Sequence, residues 1–297
     1  MCSPQARGCR KRPTFAVACL GAFVLAAAGC RSAPVLTQLV EARRLAADLR
    51  LQFNKAADAS NRAVMADTDE ASGAAAREAE EVTRTIQRDT QTLETILRDL
   101  AYADEIRLLN DFNSRFGEYR TLDRTILDLA VENTNLKAQR LSFGPAREAA
   151  NAFRESLEAL APVAASMDAW RVRAIVATAV ANVREIQVLQ APHIAQSDDA
   201  EMSRLEAQMA AAETAARQAL DALKGLVPPG PGLNAATAAL DRFKAINTEL
   251  LGLSRLNSDV RSLALSLGRK RTLTAACDDS LRALQEALAK HNFTATR

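Results

Sequence analysis

Histidine, cysteine and aromatic residues are scarce in this 297-residue chain: it carries two histidines, five cysteines and 4% aromatics. There is no His-Glu-x-x-His, no Cys-x-x-Cys-His, no glycine-rich phosphate loop and no Gly-x-Ser-x-Gly elbow. The usual carriers of zinc hydrolysis, covalent haem, nucleotide chemistry and serine hydrolysis are therefore missing. No enzyme activity, metal or cofactor is expected. The paired Asp198 and Asp199 are read as helix-capping residues rather than a general acid and base. Glycine and proline are few and concentrated at a few places, which leaves long uninterrupted stretches rich in Ala, Leu, Arg, Glu and Gln, a composition that forms helices. The alternating apolar pattern of a membrane β-barrel is absent, which argues against an export-channel lipoprotein.

Long hydrophobic runs are equally scarce. The one near the start, residues 15–28, follows Arg7, Arg10, Lys11 and Arg12 and precedes small residues. This is the layout of a signal peptide, too short to span a bilayer as a helix. Its end, Leu25-Ala26-Ala27-Ala28-Gly29-Cys30, resembles a bacterial lipoprotein signal, which implies cleavage over residues 1–29 and lipid on Cys30. A plain secretory signal with an incidental cysteine is the alternative. Arg31 stands where an Asp would favour inner-membrane retention, so the resemblance implies an outer-membrane anchor facing the periplasm rather than the inner membrane. Cys2, Cys9 and Cys19 would leave with the signal, so Cys277 remains as a lone thiol with no intramolecular disulfide partner. It falls in an apolar helical pattern and is expected to be buried. Removing the signal takes four basic residues, leaving 34 basic against 36 acidic. Such a balance gives no basic stripe for nucleic acid and no polybasic surface for anionic lipid.

What the chain has is a repeat. Residues 129–160 recur without a gap at 253–284, aligning Asn133 with Asn257, Thr134 with Ser258, Asn135 with Asp259, Gly144 with Gly268 and Leu157 with Leu281. Further upstream, residues 65–69 match 194–198, and the extra slack fits the loop Val227-Pro228-Pro229-Gly230-Pro231-Gly232. A period this long means tandem domains rather than a solenoid. Within each copy an apolar seam runs at spacings of three and four: Leu122, Ile126, Leu129, Asn133, Leu136, Arg140 and Phe143 in the first, with counterparts through Leu250, Leu253, Asn257, Val260 and Leu267 in the second. Helices are predicted over 34–65, 71–100, 104–142 and 147–160, then over 163–195, 199–226, 234–267 and 272–290. The predicted fold is all-α: two tandem up-down four-helix bundles of long antiparallel helices, one over 30–161 and one over 162–297. Pro162 leaves open whether the bundles stack end to end, the favoured arrangement, or fold side by side.

The second copy resembles the four-helix sensor domain of methyl-accepting chemotaxis receptors. The stretches that carry this are residues 184–189 with the acidic turn and Met-containing start at 197–202, then Leu253-Ser254-Arg255-Leu256-Asn257-Ser258-Asp259-Val260-Arg261-Ser262, then Gly268 before the last helix. The likeness covers about 170–288, and the first copy matches more loosely over 45–160. The resemblance implies an extracytoplasmic domain that senses a small molecule or a partner protein, usually as a homodimer. The family's transmembrane helices, adaptor and methylation region have no counterpart here, so the signal would pass to a separate receptor or envelope protein. The ligand-contacting arginines of amino-acid-binding members cannot be aligned.

Candidate residues follow from position. Asn133 and Asn257 sit on the seam, where a polar side chain needs a hydrogen bond and fixes helix register. Asn257 with Ser258, Arg261 and Ser262 is the candidate ligand pocket. His193, just after Pro192, is a further candidate near a freed backbone carbonyl, although one histidine makes a poor metal site. His291 is read as a favourable charge at a helix C-terminus. The expected function is a lipid-anchored, sensor-like binding protein without its own signalling output. The competing expectation is a structural envelope lipoprotein, a helical spacer or scaffold.

Overall fold

The computed structural model describes residues 23–160 and 168–291, with 23–34 as backbone only. Most of the expected signal segment, the Cys30 side chain and Pro162 lie outside what is described. The fold is all-α, with no strand among the described residues. Among the described residues ten α-helices follow in order: α1 Phe23–Val64, α2 Asp69–Asp99, α3 Ala103–Glu132, α4 Thr134–Leu141, α5 Arg147–Glu158, α6 Ala169–Ala195, α7 Asp199–Lys224, α8 Pro231–Leu256, α9 Ser258–Leu265 and α10 Arg271–Lys290. Among the described residues no helix is long and apolar enough to cross a membrane.

The helix starts follow local chemistry. Thr68 caps α2 by accepting from the Ala71 amide at 3.1 Å, with Asp69 and Glu70 in the first turn. Asp198 caps α7 by accepting from the Glu201 amide at 2.8 Å, the role expected of that turn. Pro231 opens α8, where a missing amide hydrogen costs nothing.

Two expectations about the third helix of each copy are corrected. First, it is not continuous. Asn133 and Asn257 adopt the left-handed conformation, with φ of 48° and 53°, and end α3 and α8. Asparagine tolerates this region better than other residues with a Cβ, so the seam position became a break. Beyond it the buried face changes: Thr134, Asn135 and Ala138 are buried while Arg140 and Phe143 are exposed, and Ser258 and Ser262 are buried while Leu267 is exposed. Second, the expected turns at Phe143-Gly144-Pro145 and Gly268 do not reverse the chain. They are π-helical turns, Ser142–Ala146 and Ser266–Lys270, that carry α4 into α5 and α9 into α10. Neither glycine has positive φ, and the wider turn accommodates Pro145, which has no amide hydrogen to give.

Because the chain runs on instead of turning back, the last helix of each copy crosses to the other. One core is built by α1, α2, α3 and α10, and it joins Leu49, Phe53, Ile86, Leu109, Phe112 and Tyr119 of the first copy to Cys277, Leu281, Leu284 and Leu288 of the second. The other is built by α5, α6, α7 and α8, and it joins Phe153, Leu157 and Leu160 of the first copy to Val172, Val183, Met209, Leu223, Leu240 and Phe243 of the second. The expected division at 161/162 into self-contained halves is corrected accordingly: each core is completed by a helix from the other copy.

Polar contacts reinforce the exchange. Arg50 of α1 holds Asp278 of α10 with two hydrogen bonds of 2.7 and 3.0 Å. Arg43 caps the end of α10 through the carbonyls of Leu288 at 3.0 Å and His291 at 2.6 Å. His291 stacks on Tyr102 with centroids 3.9 Å apart and meets Glu105 at 2.8 Å. In the other core, Gly232 approaches so closely that a Cβ there would lie 2.8 Å from the Leu160 side chain, which a larger residue would have to displace.

Candidate functional site

The crossing point gathers most of the polar residues that the sequence marked. Helices α4 and α9 begin there, and their first amides lack partners within the helix. Each is capped by the other copy. The Thr134 amide donates to Ser258 Oγ at 3.0 Å and the Ser258 amide donates to Thr134 Oγ1 at 3.0 Å. One position on, the Asp259 amide donates to Asn135 Oδ1 at 3.2 Å, and the Leu136 amide donates to Asp259 Oδ2 at 2.9 Å. Residues equivalent in the repeat thus touch one another, which makes the junction an internal pseudo-twofold. Two positive helix ends meet there, and Asp259 supplies a carboxylate where the first copy has Asn135. Burial pushes the Asp259 carboxyl above its ordinary value against the hydrogen bonds that lower it.

Asn257 accepts from Asn135 Nδ2 at 2.9 Å and donates to the Gln196 carbonyl at 2.7 Å, while Asn135 also donates to the Ile194 carbonyl at 2.6 Å. Asn133 is buried and donates to Asp69 at 3.0 Å. Of the expected pocket, the structure brings Asn257 and Ser258 together. Ser262 donates to the Asp259 carbonyl within its own helix at 2.9 Å, and Arg261 is exposed.

His193 lies beside this junction, fully buried. Its Nε2 is 2.9 Å from Glu206 Oε1 and its Nδ1 is 2.8 Å from Ser254 Oγ. Arg255 grips the same carboxylate at 2.7 and 2.9 Å, and with His193 it holds the Glu206 carboxyl below its ordinary value despite partial burial. A serine, a histidine and a carboxylate in a row invite comparison with a hydrolytic triad. However, Ser254 is fully buried and donates to the His193 carbonyl at 3.0 Å. The group closes the end of α6, whose last carbonyls receive Ser254, Asn135 and Asn257 in turn.

A second buried polar group sits at the other π-helical turn. Lys270 Nζ lies 2.9 Å from Asp123 Oδ1, with both side chains almost wholly buried, and Ser60 donates to the same oxygen at 2.6 Å. Burial pushes the Lys270 ammonium below its ordinary value, against the pull of Asp123. The Tyr119 hydroxyl above it is buried without a hydrogen-bond partner among the described residues, and burial together with Asp123 pushes its ionisation well up. Cys277, buried as expected, has its thiol pushed up to about 12, first by desolvation.

Two solvent-open grooves flank the junction at equivalent places. One, of about 370 Å³, lies between the start of α5 and α6 and is lined by Phe143, Arg147, Asn151, Arg184, Gln187 and Val188 among others. The other, of about 470 Å³, lies between the start of α10 and the end of α1 and includes Met65, Leu267, Lys270, Arg271 and Asp278. The floor of each is tied the same way: Ser142 donates to Gln190 at 2.7 Å in the first, and Ser266 to Asn61 at 3.2 Å in the second. Sequence reasoning missed the grooves and the partners Glu206, Arg255, Asp123 and Lys270. The repeat signalled the junction, where Asn133 and Asn257, Thr134 and Ser258, and Asn135 and Asp259 are polar in both copies, but not these partners, since Val131 and Ala146 stand at the positions of Arg255 and Lys270.

No family model matches the chain, and no curated protein matches it.

Proposed function

We propose that this chain is a lipid-anchored, extracytoplasmic binding protein of the sensor type, held at the membrane through Cys30 and passing its bound state to a separate partner. On this reading the two helix groups are up-down four-helix bundles of the kind that the second copy resembles, joined by exchanged last helices. The observation that carries the proposal is the pair of solvent-open grooves, each formed where a helix of one copy packs on a helix of the other. A ligand seated there touches both copies and biases how they pack, which is what a sensor without its own output must do. The test is a thermal-shift screen of residues 31–297 against organic acids, amino acids, amines and aromatics. A ligand at about one hundred times its Kd adds roughly 2.7 kcal/mol. A reproducible rise supports the proposal, and no rise with any class in well-folded protein argues against it. Radiolabelled fatty acid should enter the full chain and not the Cys30→Ser variant.

One observation favours the alternative of a rigid spacer: the polar groups of the junction satisfy one another. That reading predicts indifference to small molecules together with a stable complex with another envelope protein.

A further inference from the structure

The two grooves are equivalent by the repeat but differ in how far their positive charge is balanced, and that contrast identifies what one of them takes. The lining of the groove between α5 and α6 includes three guanidinium groups, Arg147, Arg154 and Arg184, and no carboxylate. Arg154 turns to Glu155 at 3.3 Å and Glu158 at 3.1 Å. Arg147 and Arg184, on opposite walls, make no side-chain hydrogen bond or ion pair among the described residues. In the counterpart groove the position of Arg154 is taken by Asp278, which is paired with Arg50 at 2.7 Å, and that of Asn151 by Ala275, while the extra cation Lys270 is already bound to Asp123 at 2.9 Å. The counterpart groove keeps one guanidinium unpaired among the described residues, Arg271 at the position of Arg147, so a second one facing it from the other wall is not a requirement of the fold.

We propose that the groove between α5 and α6 binds a small organic anion, a carboxylate or phosphate group joined to a compact apolar body. This rests on the binding-protein reading above and names its ligand class. Guanidinium groups suit both anions because their planar fork matches two oxygens at once. A concave, low-dielectric wall focuses their field on whatever enters. Asn151 and Gln187 add neutral donors, and Phe143 and Val188, exposed at 63% and 71%, give the apolar part a place to lie. The volume of about 370 Å³ fits a ligand of one ring or a short chain.

The experiment is calorimetric titration of the full chain at low salt with benzoate, phenyl phosphate and benzyl alcohol. The two anions separate carboxylate from phosphate recognition, and the alcohol reports apolar binding alone. Benzoate or phenyl phosphate should bind, weakening with added salt, and benzyl alcohol should not. Arg147→Gln and Arg184→Gln should each weaken the anion at least tenfold, the double variant should abolish binding, and Arg184→Lys should retain part of it. Arg242→Gln, an exposed arginine of α8 that lines neither groove, should leave binding unchanged. Because Arg147 and Arg184 are exposed and unpaired, their variants should keep the wild-type circular dichroism and melting temperature. Equal binding of benzyl alcohol, full binding by the double variant, or no binding of either anion at millimolar concentration would overturn the assignment. In the last case, a hit for a neutral or cationic compound in the wider screen removes this groove alone, whereas a blank there removes the reading beneath it.

Discussion

Leu157 and Leu281 occupy the same position in the two copies, both with no exposed surface, yet they sit in opposite cores. Truncating either to alanine removes a fully buried side chain and leaves a cavity, which costs about 2–5 kcal/mol in a closely packed core. The exchange of last helices dictates where the cost falls. Leu281→Ala, a substitution in the second copy, should loosen α1, α2 and α3 of the first, because its neighbours are the core around Phe53, Phe112 and Tyr119. Leu157→Ala should loosen α6, α7 and α8. Peptide-resolved hydrogen exchange reads this directly: a loss of about 3 kcal/mol speeds exchange through opening by roughly a hundredfold. Faster exchange in α6–α8 after Leu281→Ala, with α1–α3 unchanged, would refute the crossed packing. Equal acceleration everywhere would show that the two cores open as one, against the separation argued above.

Further consequences concern the junction and its buried charges. Thr134→Val and Ser258→Ala should each cost about 0.5–2 kcal/mol, as lost caps do, and a double-mutant cycle by chemical denaturation should show strong non-additivity because they cap one another. If the two effects simply add, the reciprocal capping is wrong. Asp259 has its carboxyl pushed up by burial, so the folded state disfavours its charge. That penalty is present above its folded-state value and relieved as pH falls through it. Asp259→Asn should therefore be neutral or stabilising at pH 7, and a clear loss of melting temperature would contradict this. Glu206 has the opposite sign, held down by Arg255 first and His193, so its contribution is present above the ordinary value of 4.5 and is lost as pH falls through the lower folded-state value. Glu206→Gln should melt lower at pH 7 and lose less on acidification than wild type; an unchanged acid slope would count against that. Lys270→Met should cost about 3–5 kcal/mol, since it leaves Asp123 charged and buried, and denaturant unfolding within 1 kcal/mol of wild type would show that the pair is not coupled as drawn.

The all-α class and most helix boundaries were legible because Ala, Leu and Glu dominate and the punctuation by Thr68, Asp198 and Pro231 is local chemistry. The importance of Asn133 and Asn257 was legible too, since a polar residue repeated on an apolar seam must answer to something. Their left-handed conformation was not, because a spacing of three and four fits a continuous helix equally well on either side of a one-residue break. Gly144-Pro145 and Gly268 misled for a related reason: these residue types end helices in most settings, and only the surrounding packing selects a π-helical turn that runs on. Once that turn is read as a reversal, each copy closes on itself. The grooves could not be read at all, because their walls come from residues in different copies with no short-range pattern between them.

The central claim, that each copy lends its last helix to the other, is tested most directly by producing residues 31–161 and 162–297 as two separate chains in one cell, with an affinity tag on only one. The account predicts that the untagged chain co-purifies in a 1:1 complex with the helical content and melting behaviour of the intact chain. Recovery of each piece alone as a stable, folded monomer would contradict it.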